Sequence, residues 1–204
     1  MHERFLEIAK KGNIDLLFLG DSITRGWDGR DKEGKGPKEV WDRYYGPRNS
    51  ANFGIGGDRT QHVLWRIQNG ELDGIEPKVV VLMIGTNNAH ANTPAEIAEG
   101  VTAIVKALKA KLPSTKVLLL GVFPRGKTPD SVRERLKAVN ERIAALDDGG
   151  KTVKYLDIGP HFLNPDDGTI SQDVMPDYLH LSRKGYRIWA DAMEPTLWSL
   201  LEAR

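Results

Sequence analysis

Serine, histidine, aspartate, asparagine and glycine recur where strand-like runs end, and together they form an inventory for nucleophilic acyl transfer. Ser22 follows the apolar run Ile14–Leu19. Gly54-Ile55-Gly56-Gly57-Asp58 follows a short run at Ala51. Gly85-Thr86-Asn87-Asn88 follows Val79–Ile84, and Asp177-Tyr178-Leu179-His180 precedes the last helical stretch. A neutral serine hydroxyl needs a base within hydrogen-bond reach, and His180 is the candidate. Asp177 is placed to orient that imidazole and to stabilise its protonated form. A tetrahedral intermediate needs donors where its negative charge develops. The candidate oxyanion donors are the amides of Ser22 and Gly57 and the side-chain amide of Asn87. Gly57 permits positive φ and close approach of backbone to substrate. Asp21 reads as a structural residue that bonds loop amides.

The positioning elements read as alternating strands and helices. Runs at Ile14–Leu19, Ala51–Ile55, Val79–Ile84, Val117–Val122 and Val153–Ile158 are short and mostly continuous, as in a parallel sheet buried on both faces. Thr93-Pro94-Ala95-Glu96 opens a helix with a capping box, and Ile97, Val101, Ile104, Val105 and Leu108 share one of its faces. Ser131 with Glu134 predicts a second box, for a helix to about Leu146; Asp58 with Gln61 predicts a third. Ser182 is the expected cap of the last helix, where Pro195 predicts a kink or break. The order implies a doubly wound, three-layer α/β/α flavodoxin-like fold with about five parallel strands, spanning residues 1–204 as a single domain. Asp28–Lys38 reads as one exposed loop.

Composition narrows the function classes. The chain has 204 residues, with 29 basic and 28 acidic side chains and a formal net charge of +1. That balance gives no support to nucleic-acid binding, which needs a basic excess on one face. The absence of cysteine excludes a thiol nucleophile, a disulfide scaffold and a zinc-thiolate site. No segment reaches the ~20 apolar residues of a membrane span, and the charged start has no signal-like core, so a cytoplasmic location is the default expectation. No metal or cofactor is expected, because the proposed chemistry is complete in side chains. His62, His90 and His161 have no motif partner and read as surface or packing residues. Asp157, Asp166, Asp167 and Asp173 fit no EF-hand spacing. Gly29–Lys35 has phosphate-loop spacing, but Gly36 stands where Ser or Thr is required. Arg59 replaces the third glycine of a dinucleotide fingerprint. No G-x-S-x-G elbow occurs.

Gly20-Asp21-Ser22-Ile23-Thr24, Gly57, Gly85-Thr86-Asn87-Asn88 and Asp177-Tyr178-Leu179-His180 resemble, in order, the four blocks of the SGNH (GDSL) hydrolases. Ile23 stands where the family name implies leucine. Asn52–Asp58, His62-Val63-Leu64-Trp65-Arg66 and Pro77–Val81 are similar to the catalytic subunits of intracellular platelet-activating-factor acetylhydrolase. The resemblance implies a carboxylic ester hydrolase with Ser22, Asp177 and His180 catalytic and Ser22, Gly57 and Asn87 as oxyanion hole. It also implies a homodimer. The expected substrate is a small short-chain acyl ester, acetyl first, cleaved through an acyl-enzyme. A lysophospholipase or thioesterase, or a non-catalytic binding module, are the alternatives. Trp27, Met175 and Leu179 flank the blocks and are candidates either for the wall of a small acyl pocket or for the core.

Overall fold

The computed structural model describes residues 1–29 and 36–202. Five strands form one all-parallel sheet: β1 (Leu16–Gly20), β2 (Ser50–Gly54), β3 (Val79–Met83), β4 (Lys116–Leu120) and β5 (Val153–Leu156). Their spatial order is β2-β1-β3-β4-β5. The chain reverses direction of winding at β1, so a crevice opens beyond the carboxyl ends of β1 and β3. In register, Gly20 stands between Gly54 and Met83, and the segments that follow all three emerge at that crevice.

Among the described residues seven α-helices cover the sheet: α1 (His2–Lys10), α2 (Ser22–Arg25), α3 (Pro37–Tyr44), α4 (Thr60–Gln68), α5 (Pro94–Lys111), α6 (Ser131–Ile143) and α7 (Arg183–Glu202). Alternate strand residues enter two cores. Leu17, Leu19, Val80, Leu82, Val117 and Leu119 meet aliphatic side chains of α4, α5 and α6, with Phe5 and Ala9 of α1. Leu16, Phe18, Val79, Val81, Met83 and Leu118 meet a core rich in aromatic rings from α3, α7 and the turn after α2.

Several local expectations need correction. The α5 box is formed, with Glu96 N donating to Thr93 Oγ1 and Thr93 N to Glu96 Oε2. For α6 the cap is Asp130, not Ser131: its Oδ1 accepts from Arg133 N at 2.8 Å, which starts the helix one residue earlier and makes Ser131 its first residue. For α4 the cap is Arg59, whose amide donates to His62 Nδ1; Asp58 turns instead toward Arg66. Ser182 Oγ accepts from Gly185 N, as a cap should. Pro195 does not break α7, which runs continuously to Glu202. The expected loop to Lys38 ends earlier, since Pro37 opens α3; residues 30–35 of that loop lie outside the described residues. Helices α1, α2 and α3 lie where the sequence reading predicts none.

Candidate active site

The first strand delivers Ser22 directly into α2, as that helix's first residue. Asp21 sets the turn: its Oδ1 accepts from Ile23 N at 2.9 Å. Tyr186 Oη of α7 donates to Ile23 O at 2.6 Å, which ties the same turn to the aromatic core. Asp21 is fully buried, and no hydrogen bond reaches its Oδ2 among the described residues. Burial therefore pushes its carboxyl up to about 7, against the lowering effects of the Ile23 amide and of His180.

His180 arrives from the loop before α7. Its Nε2 lies 3.0 Å from Ser22 Oγ and its Nδ1 lies 2.7 Å from Asp177 Oδ2. A carboxylate accepts only, so Nδ1 carries the ring proton and Nε2 is left to accept from the serine hydroxyl. Asp177 Oδ1 also accepts from the amides of Leu179 (3.1 Å) and His180 (2.7 Å). Partial burial raises the Asp177 carboxyl, but the His180 ring and these two amides outweigh it and hold the group below its ordinary value. The tight turn is closed by Tyr178 at φ +59°, left-handed backbone that a non-glycine residue adopts at a cost of about 1–2 kcal/mol.

The segment after β2 passes close to the serine. A Cβ added to Gly56 would stand 3.9 Å from Ser22 Cβ. Gly57 has φ +82°, a conformation that a side chain would strain, and the space a Cβ would occupy is open. Among the described residues no hydrogen bond occupies the amides of Ser22 or Gly57. Asn87 Nδ2 donates to Asp58 O at 2.9 Å, which uses one amide hydrogen to fix the Gly57–Asp58 segment and leaves the second free. All five expected site residues, Ser22, Gly57, Asn87, Asp177 and His180, therefore gather at one end of the sheet.

Behind them lies a polar scaffold that the motif reading did not pick out. Arg66 is 3% exposed on α4 and pairs through Nε with Asp58 Oδ2 at 2.9 Å. It also pairs with the fully buried Glu71, and its Nη2 approaches Gly20 O at 3.4 Å. One guanidinium thus touches the segment before the serine and the segment bearing Gly57. Asn88 joins α4 to the next crossover: its Oδ1 accepts from Thr60 N at 3.0 Å, and its Nδ2 donates to Gln61 and Asn92. The available signal was positional. Arg66 sits three residues beyond Val63 and one before Ile67, on the apolar face of α4, where a charge must be paired.

Of the other histidines and aspartates singled out in the sequence, His90 lines the cleft beside Asp177, and the rest lie elsewhere. His62 caps α4 and His161 lies in the turn at Gly159–Phe162. Asp157 and Asp167 accept from the amides of Gly159 and Thr169 in local turns. Trp27 and Met175 are fully buried in the aromatic core, so of the three flanking residues only Leu179 reaches the cleft beside the site.

Residues 18–188 match the GDSL-like lipase/acylhydrolase family. The chain belongs to that family. It is 41% identical over 201 residues to the human platelet-activating factor acetylhydrolase IB subunit alpha1, covering 98% of this chain and 83% of that one. The alpha2 subunit from Rattus norvegicus is 39% identical over the same coverage. Among solved structures, a GDSL-like lipase from Bacteroides thetaiotaomicron superposes with TM-score 0.75 at 18% identity, covering 97% of both chains. A carbohydrate acetylesterase from Sinorhizobium meliloti superposes with TM-score 0.66 at 22% identity, covering 92% of this chain and 99% of that one. At those identities the structures establish the shared fold. The acylhydrolase family places hydrolysis of acyl compounds as the activity class. No helix among the described residues is long and apolar enough to cross a membrane.

Proposed function

We propose that the chain is a serine esterase that removes short acyl groups, acetyl first, through a covalent acyl-enzyme. The observation that carries this reading is the continuous Ser22–His180–Asp177 chain, at 3.0 and 2.7 Å. Ser22 Oγ attacks the acyl carbonyl while His180 Nε2 takes its proton. The oxyanion sits against the amides of Ser22 and Gly57 and the free amide hydrogen of Asn87. The tetrahedral intermediate collapses, the C–O bond to the alcohol breaks, and His180 returns the proton to the leaving oxygen. Water then attacks the acyl-enzyme with His180 as base, releasing the acid and restoring Ser22. Asp177 stabilises the imidazolium in both halves.

Two observations favour a short acyl group. The cleft that Asp177, Tyr178 and Leu179 help to line also carries His90, Arg125, Lys127 and Asp130, so it offers no continuous apolar wall, and its volume is about 330 Å³. A more apolar cavity of about 330 Å³, lined by Val122, Pro124, Leu136 and Leu163, contains none of the five site residues. A long acyl chain gains ~0.8 kcal/mol per buried methylene only where such a groove meets the nucleophile. The names of the acetylhydrolase relatives and of the acetylesterase neighbour point the same way. Those relatives are also named as subunits, which supports assembly of this chain, with a homodimer the simplest form. Residues 1–204 are taken as one catalytic domain.

p-Nitrophenyl esters of two to twelve carbons test the reading, with and without a serine-directed organophosphate. kcat/KM should peak from acetyl to butyryl and fall beyond hexanoyl, and the organophosphate should add to Ser22. Rates that rise to decanoyl would move the assignment to a long-chain lipase or thioesterase. Absence of both turnover and adduct would favour a binding module.

A further inference from the structure

Two buried carboxylates share one buried cation behind the oxyanion segment. Asp58 is 8% exposed, Arg66 3% and Glu71 0%. Arg66 reaches both acids, through Nε to Asp58 Oδ2 and through Nη1 to Glu71 Oε1. One guanidinium against two acids leaves the cluster short of a donor, and a buried carboxylate oxygen without one is costly. For Glu71 the missing donor comes from α1. His2, the first residue of that helix, places Nδ1 3.0 Å from Glu71 Oε2. A carboxylate accepts only, so Nδ1 carries a proton and donates it to the bond. His62 cannot play this part for Asp58: it comes no nearer than 3.9 Å to Asp58 Oδ1, and its Nδ1 accepts from Arg59 N.

The result is a continuous polar path from α1 to the candidate oxyanion hole. It runs from His2 to Glu71, from Glu71 to Arg66, and from Arg66 to Asp58 and toward Gly20 O at 3.4 Å. Asp58 O then holds Asn87 Nδ2 at 2.9 Å. The outer end is seated by rings. Phe5 of α1 stacks on Phe53 of β2 with centroids 4.4 Å apart, the Arg66 guanidinium lies 5.9 Å from the Phe5 centroid, and the His2 ring meets Trp65 at 5.2 Å. Glu71 divides its charge between ring and guanidinium. Without the ring its carboxylate is free to turn further onto Arg66, and a shift of Arg66 moves the Asp58 segment on which Asn87 hangs.

We propose that His2 and Glu71 are positioning residues for the oxyanion donors, acting through Arg66 and Asp58, so that α1 is part of the support of the site. The inference rests on the esterase reading and deepens it, since neither residue touches substrate.

Two substitutions of equal shape test it. In His2→Asn the side-chain nitrogen takes the place of Nδ1 and keeps a donor for Glu71; in His2→Leu the donor is gone. With p-nitrophenyl acetate, His2→Leu should lower kcat about tenfold and leave KM within about twofold, whereas His2→Asn should stay within about twofold of the wild type. Glu71→Gln should lower kcat at least as far as His2→Leu. Glu7→Gln, on the same helix with only the exposed Lys10 as side-chain partner, should match the wild type. In an Asn87→Ala background the difference between His2→Leu and His2→Asn should shrink toward nothing, because the donor being positioned is absent. Wild-type kcat in His2→Leu, equal losses in His2→Leu and His2→Asn, a loss confined to KM, or an equal loss in Glu7→Gln would each overturn the positioning role while leaving the esterase reading intact. So would a Leu–Asn difference that persists undiminished without Asn87. Urea unfolding of each variant checks that the compared proteins are folded. No turnover by the wild type would overturn the esterase reading, and the positioning role with it.

Discussion

The two faces of the sheet solve the same packing problem with different chemistry. On the α4–α6 side the core is largely aliphatic, and its buried polar groups meet other polar groups, although Asp58 Oδ2 and Arg66 Nε do so as an ion pair without a hydrogen bond. Asn140 bonds both backbone groups of Val122, Thr115 donates to Pro77 O, and Arg66 sits between Asp58 and Glu71. On the α7 side Phe18, Trp27, Trp41, Tyr45, Tyr186 and Trp189 interlock, with Trp27 and Tyr186 ring centroids 4.5 Å apart. There the Nε1 groups of Trp27 and Trp189 and the Tyr45 hydroxyl are buried without a hydrogen-bond partner in the described structure. The difference divides the candidate site. Ser22 and His180 rest on the aromatic face, positioned by shape and by the Tyr186–Ile23 bond. Gly57 and Asn87 are positioned from the aliphatic face, through a charged network. Nucleophile alignment should therefore respond to volume changes, and oxyanion alignment to changes of charge.

The largest effect expected is at the junction of the two faces. Ser22→Ala should lower kcat about 10⁶-fold while leaving the unfolding transition intact. Near-normal turnover by the folded variant would remove Ser22 from the chemistry. Arg66→Met tests the charged support. It leaves Asp58 and Glu71 buried without their cation and should cost about 3–5 kcal/mol in urea unfolding. It should also lower kcat more than it raises KM, since Asp58 O holds Asn87; a stability loss with unchanged kcat would confine Arg66 to the core.

Asp21 sets the next test, and its sign is fixed. The carboxyl ordinarily titrates near 3.8 and is raised to about 7 in the folded state. The folded protein keeps a proton that the unfolded chain releases between those values. Its contribution to stability is therefore present below pH 4 and lost as the pH climbs through 7, by on the order of 4 kcal/mol. Asp21→Asn should match the wild type at pH 4 and exceed it at pH 8 in denaturant titrations. A difference that does not change with pH would mean that Asp21 is ionised throughout. The smallest effect belongs to the aromatic face. Tyr45→Phe removes a hydroxyl that has no hydrogen-bond partner among the described residues and should change stability by under about 1 kcal/mol, in either direction. A loss of 2 kcal/mol or more would reveal a partner for that hydroxyl and weaken the contrast between the faces.

Strand positions were legible to within about two residues, because continuous runs such as Val79–Met83 signal burial on both sides. The five candidate site residues could be singled out because each follows a strand or precedes the last helix, where ligand crevices open, and the structure brings them to one end of the sheet. Caps were legible only where one geometry was available: Thr93 was unambiguous, whereas Asp130 and Ser131 are adjacent residues that can each serve as a cap. Asp58 was misread as a cap because its partner lies eight residues on and is selected by tertiary packing. The three-way role of Arg66 could not be read from spacing, since Gly20 and Glu71 reach it only after the sheet has formed. Helix α3 was hidden by the glycine-rich stretch before Pro37. The division between Trp27 in the core and Leu179 at the cleft depends on which face each loop turns toward.

The left-handed turn at Tyr178 has a mechanical consequence. It lets one carboxylate hold both the ring and the amide of a histidine three residues away, so Asp177 and His180 form a closed unit whose internal bonds do not pass through the sheet. If this loop lifts, the base leaves the serine with its carboxylate still attached. Opening would then act as a clutch: it disengages proton transfer without altering the base, and closing restores a histidine already in the working tautomer. Such a clutch would make and break the bond from His180 to Ser22 together with the bond from Gly126 N to Tyr178 O.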